Sequence, residues 1–133
     1  MLTRDIKNPF FFASSIAPGT ELSGSTPAAG DWVDCQDIAG PVAGVISLAA
    51  STGSPTAIAH AFKIREADSS GGSGAADIVG ATLTVDEDDQ TVVLQANNRS
   101  KRYVQVYVTP AFTEGTTPKT KISAAVFGQK ARY

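Results

Sequence analysis

From Val42 onward the chain is a series of short runs in which apolar and polar residues alternate with period two, each bounded by turn-forming residues. That is the pattern of strands in an all-β sandwich or barrel, and helical periodicity is scarce. In Ala43–Ala50, Ile46 and Leu48 share one side before Thr52-Gly-Ser-Pro55 breaks the run. Ala57–Glu66 is the clearest strand, with Ile58, Phe62 and Ile64 pointing one way and Lys63 and Arg65 the other. Ala81–Asp86 sets Leu83 and Val85 inward, and the acidic run Asp86-Glu-Asp-Asp89 turns the chain into Thr91–Ala96. In Lys101–Thr109, Val104, Val106 and Val108 form one face and Tyr103, Gln105 and Tyr107 the other. Such β-branched and aromatic residues suit a half-buried pleated surface, and Pro110 ends the strand. A last strand, Lys121–Phe127, turns Ile122, Ala124 and Val126 to one side.

The first forty residues break this rhythm. Pro18-Gly19, Pro27 and Gly30-Asp31 interrupt them, so an arm or a long loop fits as well as sheet. Phe10-Phe-Phe12 puts rings on both faces of an extended segment, and three consecutive rings cannot all enter one core. At least one needs a second surface, either this domain's other sheet or a neighbouring subunit. Trp32–Asp34 reads as a short strand, with Trp32 the largest apolar side chain available to plug the sandwich. Asp68–Gly74 reads as a flexible loop by composition. At the other end, residues 124–133 carry no acidic side chain and close on Lys130, Arg132 and Tyr133, which predicts an end held in a sheet or against a partner. The organisation expected is all-β: an extended N-terminal arm with loops over residues 1–31, then a single β-sandwich domain over 32–133.

At 133 residues the chain is expected to form one domain. Its apolar fraction of 42% is ordinary, but charge is thin at 18%, with Gly, Ala, Ser and Thr in its place, as suits a surface meant to be covered. A net charge of -2 argues against nucleic-acid binding through the overall field. One cysteine, Cys35, and one histidine, His60, exclude an internal disulfide and a Cys/His zinc site. No apolar run reaches the roughly 20 residues that span a bilayer, so no membrane role is expected. The basic, partly apolar start is interrupted by Asp5 and Pro9, against the pattern of a signal peptide.

Chemistry is hard to find in this inventory. His60 lies in register with Ile58 and Phe62, the position of a core-edge histidine rather than of an acid or base, for which no partner is evident. Cys35 would need His60 beside it to act as a nucleophile, and a free cysteine is usually a small buried hydrophobe. Asp86–Asp89 invites calcium but lacks the glycine and the distal glutamate of an EF-hand, which leaves a solvated turn as the simpler reading. Gly71-Gly-Ser-Gly74 is followed by no Gly-Lys-Ser/Thr and by no helix, so it is not a phosphate loop. Arg99, Lys101 and Arg102 form a small basic cluster, either an ordinary exposed loop or a contact for an acidic surface. No catalytic, cofactor or metal site is expected, and the chain is read as a non-enzyme.

Three segments taken in order resemble the small head proteins of tailed bacteriophages, the decoration or cement proteins. They are Ala61–Asp68 with the Gly/Ser loop after it, Lys101–Thr109, and Ser123–Tyr133. The resemblance covers roughly Val42 to the end. It implies a jelly-roll-like β-sandwich, often a homotrimer, that binds the major capsid protein on the outside of the shell and carries no catalytic residues. Localisation would then be the capsid surface of the virion, after synthesis in the host cytoplasm. Phe10, Phe11, Phe12, Arg132 and Tyr133 are the expected interface residues. The alternative is a carbohydrate-binding or other sandwich binding module, in which Trp32, Tyr103 and Tyr107 would stack on sugar rings.

Overall fold

The computed structural model of the chain describes residues 10–130, in which all regular structure is antiparallel strand. In chain order the strands are β1 (Phe10–Ser23), β2 (Ala28–Ala29), β3 (Val33–Asp34), β4 (Ile38–Leu48), β5 (Ala57–Ile58), β6 (His60–Ala67), β7 (Ala76–Val85), β8 (Thr91–Ala96), β9 (Tyr103–Thr109), β10 (Phe112–Thr113) and β11 (Lys119–Lys130). The first sheet has the order β1-β11-β4-β8. The second has the order β2-β9-β6-β7, with β3 also on β9, and β5 and β10 make a small separate ribbon.

This order is a jelly roll. The first long strand pairs with the last (β1 with β11), β2 and β3 pair with β9, β4 pairs with β8, and β6 pairs with β7. The chain therefore folds back on itself as one long hairpin that is wrapped into two packed sheets. The wrapping works because each strand has one apolar face. Ile122, Ala124 and Val126 of β11, and Val42, Ile46 and Leu48 of β4, meet Phe62 and Ile64 of β6 and Val104, Val106 and Val108 of β9 in one buried core. Gly128 of β11 is part of that fit. A Cβ placed there would stand 2.8 Å from Ile38 Cγ2, so the missing side chain lets the start of β4 close onto the end of β11.

Three expectations change. Phe10–Ser23, read as arm or loop, is a 14-residue strand of the first sheet. Its alternation is hidden by two register shifts, between Ser14 and Ile16 and between Ile16 and Thr20, and Pro18-Gly19 sits within the second. Past those breaks Ile16 and Leu22 still face the core. Trp32 is half-buried and lies outside the core, its indole set against Gly72, while Phe62, Leu22, Ile46 and Ile64 are the large buried side chains. The run Ala57–Glu66 is two elements, divided at Ala59: β5 belongs to the ribbon and β6 to the second sheet.

Candidate interaction faces

The outer face of the first sheet is built in rows across β1-β11-β4-β8. One row is Phe12, Phe127, Ala43 and Gln95, and the next is Ser14, Ala125, Val45 and Val93. A third, Ser123, Ser47 and Thr91, is polar but uncharged, with the Ser47 and Thr91 hydroxyls 3.2 Å apart. No Asp, Glu, Lys or Arg stands in these rows; Glu21, Lys119 and Lys121 lie at the far end of β1 and β11. Phe12 is 65% exposed, Val93 59%, Phe10 44% and Phe127 36%. The Phe127 ring is sandwiched by its neighbours, stacked on Phe10 at 5.6 Å between centroids and edge-on to Phe12 at 6.3 Å.

The sequence argument about three phenylalanines thus has a geometric answer. Phe11, opposite Gly128, turns inward and packs on the core, while Phe10 and Phe12 turn outward. Phe127 was seen only as a strand end, and it joins them because β11 is central to the sheet. Arg132 and Tyr133 lie outside the described residues. Contiguous exposed apolar surface of this kind marks interaction sites on proteins.

The outer face of the second sheet has the opposite character. Its rows are Gln105, Arg65 and Asp77; Tyr107, Lys63 and Thr82; and Thr109, Ala61 and Thr84. Lys63 and Arg65 both reach Asp77, at 3.1 and 3.3 Å, and both lie over the Tyr107 ring, at 4.9 and 5.4 Å from its centroid. Arg102 grips Asp34 through two bonds of 2.9 and 2.7 Å and covers the Tyr103 ring. That Arg102 pairing holds the Asp34 carboxyl below the ordinary carboxylate range. Of the three aromatic residues offered for stacking on sugar, each tyrosine thus lies under a cation, and the Trp32 indole rests against Gly72 of the Gly/Ser loop.

The basic cluster also turns inward on the chain. Arg99 donates to the carbonyls of Ile38, Gly40 and Lys101, and Lys101 Nζ donates to the carbonyl of Gly74 at 2.6 Å. The three basic residues fasten three different segments: Arg99 the start of β4, Lys101 the Gly/Ser loop and Arg102 the strand β3. The Gly/Ser loop is likewise closed on itself, by Asp68 N–H to the Ser73 carbonyl at 2.8 Å and Gly72 N–H to the Ser69 carbonyl at 3.0 Å.

His60 is fully buried and its tautomer follows from its neighbours. The Ala111 N–H donates to Nδ1 at 3.2 Å, so the ring proton sits on Nε2 and points to Thr120 Oγ1 at 3.2 Å. Thr120 then donates to Ser51 Oγ (2.7 Å), which donates to Asp88 Oδ1 (2.6 Å). Burial holds the imidazole below its ordinary pKa, against the pull of the Asp88 charge. This chain of bonds stitches the β5–β10 ribbon and the acidic turn onto β11. It uses Asp88 fully, since Oδ2 also accepts the Ser51 N–H. Cys35 is buried apart from it, with Sγ 3.6 Å from the Val33 carbonyl, and burial pushes its thiol up to about 11. No Cys–His pair forms.

No family model matches this sequence, and no curated protein matches it. Among solved structures, the chain is similar over 92% of its length to 31% of a chain of the T13 IBDV viral particle, at 9% identity and a TM-score of 0.50. It is similar over 94% of its length to 26% of the chain holding the CBM22-1 and GH10 modules of Clostridium thermocellum xylanase 10B, solved with xylohexaose, again at 9% identity and 0.50. The SPBc2 prophage-derived protein YomS matches 96% of this chain and 100% of its own, at 11% identity and 0.49. At these identities the likeness, carried by the two matches at 0.50, is one of fold alone.

Proposed function

We propose that the chain is a structural protein of a phage virion, which binds the outside of the capsid and stabilises it without catalysis. The observation that carries this reading is the outer face of the first sheet. Its rows are uncharged and carry the exposed rings of Phe10, Phe12 and Phe127 toward one edge, so they can be covered without stripping water from any charge. A shell protein needs many such contacts, each modest, repeated over a lattice. The resemblance of three segments to phage decoration proteins supports the same reading. A homo-oligomer, with a trimer as the expected state, would set several copies of the face side by side.

Cosedimentation with purified tailed-phage capsids tests this, alongside the molar mass from light scattering. The wild-type protein is expected to pellet with capsids and to self-associate, and the double variant Phe12→Asp, Phe127→Asp to remain folded but stay in the supernatant. A wild-type monomer that ignores capsids would overturn the reading.

A further inference from the structure

We infer that the second sheet carries a binding site for a neutral saccharide, on the side of the sandwich away from the face proposed to meet the capsid. Its basis is a trough of about 450 Å³ on that outer surface, floored by Ala61 and lined by Lys63, Thr82, Thr84 and Thr109. The volume lies within the range usual for small-ligand sites. The register explains the hollow: Ala61 stands between Thr109 of β9 and Thr84 of β7, so a methyl group separates two hydroxyl-bearing walls. Strands are spaced about 4.8 Å apart, which puts those walls on the order of 10 Å from each other, room for one pyranose ring and its hydroxyls.

The lining selects the ligand by its chemistry. Threonine hydroxyls both donate and accept, as sugar hydroxyls do, and Thr82, Thr84 and Thr109 are exposed and make no side-chain hydrogen bond among the described residues. Their methyl groups and that of Ala61 offer apolar patches to the C–H face of a ring. The adjoining row brings Tyr107 and the Lys63 ammonium, which holds Asp77 at 3.1 Å and has further N–H donors to give. Asp77 is shared by Lys63 and Arg65, so that row carries one cation in excess, but of the two only Lys63 borders the trough, whose other polar walls are neutral hydroxyls. The site lies on the opposite side of the sandwich from Phe12 and Phe127, so it stays open when the first face is covered.

The test is an amide NMR titration of the full chain with neutral gluco-, xylo- and mannohexasaccharides, and with inorganic phosphate in parallel. At least one hexasaccharide is expected to shift the amides of residues 61, 63, 82, 84 and 109 saturably. Ala61→Arg, at an exposed position, fills the trough and is expected to weaken binding by about tenfold or more while the rest of the spectrum stays in place. Thr84→Val keeps the shape and removes one hydroxyl, with an expected loss of roughly fivefold, as for one hydrogen bond. The inference fails if no hexasaccharide moves these amides, if Ala61→Arg binds as tightly as the wild type, or if phosphate produces the same shifts. None of these outcomes bears on capsid binding.

Discussion

Glu66 is the charged group that holds the turn between β8 and β9, and removing its charge is expected to give a pH signature. It ends β6 nearly buried, at 7% exposure. Its Oε2 accepts the N–H groups of Ser100 (2.8 Å) and Lys101 (3.1 Å), and its Oε1 accepts the Ser100 hydroxyl (3.0 Å). Burial pulls the carboxyl upward, but these three bonds and the Lys101 charge outweigh it, and the group is held below the ordinary range. A depressed carboxylate contributes stability above its unfolded value, about 4.3, and that contribution is lost as pH falls through the folded value.

Hydrogen bonds to a charged group are worth roughly 1.5–3 kcal/mol each when nothing replaces them. Ser100 is exposed, so water recovers part of that loss. We therefore expect Glu66→Gln, which keeps one acceptor, to cost about 1.5 kcal/mol at pH 7, and Glu66→Ala about 3 kcal/mol. The assay is urea unfolding followed by tryptophan fluorescence, with midpoints compared at constant slope. The gap between Glu66→Gln and wild type should be full at pH 7 and shrink as pH falls below about 4.3 and through the folded value, where wild-type Glu66 is itself protonated. A gap that stays the same size as the pH is lowered until the wild type unfolds would refute the argument, since it would show that shape and not charge holds the turn.

Other predictions follow from the same geometry. His60 is the only histidine in the sequence, and its pKa is depressed by burial, so its share of stability is complete above about pH 6.5 and is lost as pH falls below that. The unfolding midpoint should drop as pH falls below about 6.5, and the drop should be absent in His60→Gln. Cys35, with a thiol pushed up to about 11, should react with a thiol reagent at neutral pH on the order of a hundredfold more slowly in the native protein than in urea. Gly128→Ala would press a methyl group to 2.8 Å from Ile38 Cγ2 and should lower stability by roughly 1–3 kcal/mol, read from the same urea midpoints.

How much of this was legible in the sequence depended on how far apart the partners lie along the chain. The alternation in β4, β6, β9 and β11 named the buried side chains correctly, because each strand's faces are set by its own residues. It failed in β1, where extra residues at the two register shifts destroy the period that the eye looks for. It also failed for Trp32, whose size suggested a core role, although the core is filled by branched aliphatic residues and Phe62. His60 was placed on the apolar face, but its partners Thr120, Ser51 and Asp88 come from three distant loops and strands. The trough at Ala61 was missed for the same reason. Thr82, Thr84 and Thr109 are ordinary outward-facing strand residues until the β9-β6-β7 register sets them around one small side chain.

The topology also decides when the aromatic face comes into being. Phe10 and Phe12 belong to the first strand and Phe127 to the last, and the rings meet only once β1 has paired with β11, the longest-range pairing in the fold. Pairings of such sequence separation bear the largest loop-closure cost and form late. Before that step Phe10 and Phe12 flank an unpaired strand with no charge from Phe10 to Thr20, a segment prone to join another chain. In the native state the same rings are fixed on a rigid sheet and presented together. The aromatic face is therefore offered to a partner only by molecules in which the two ends of the chain have already paired as β1 and β11.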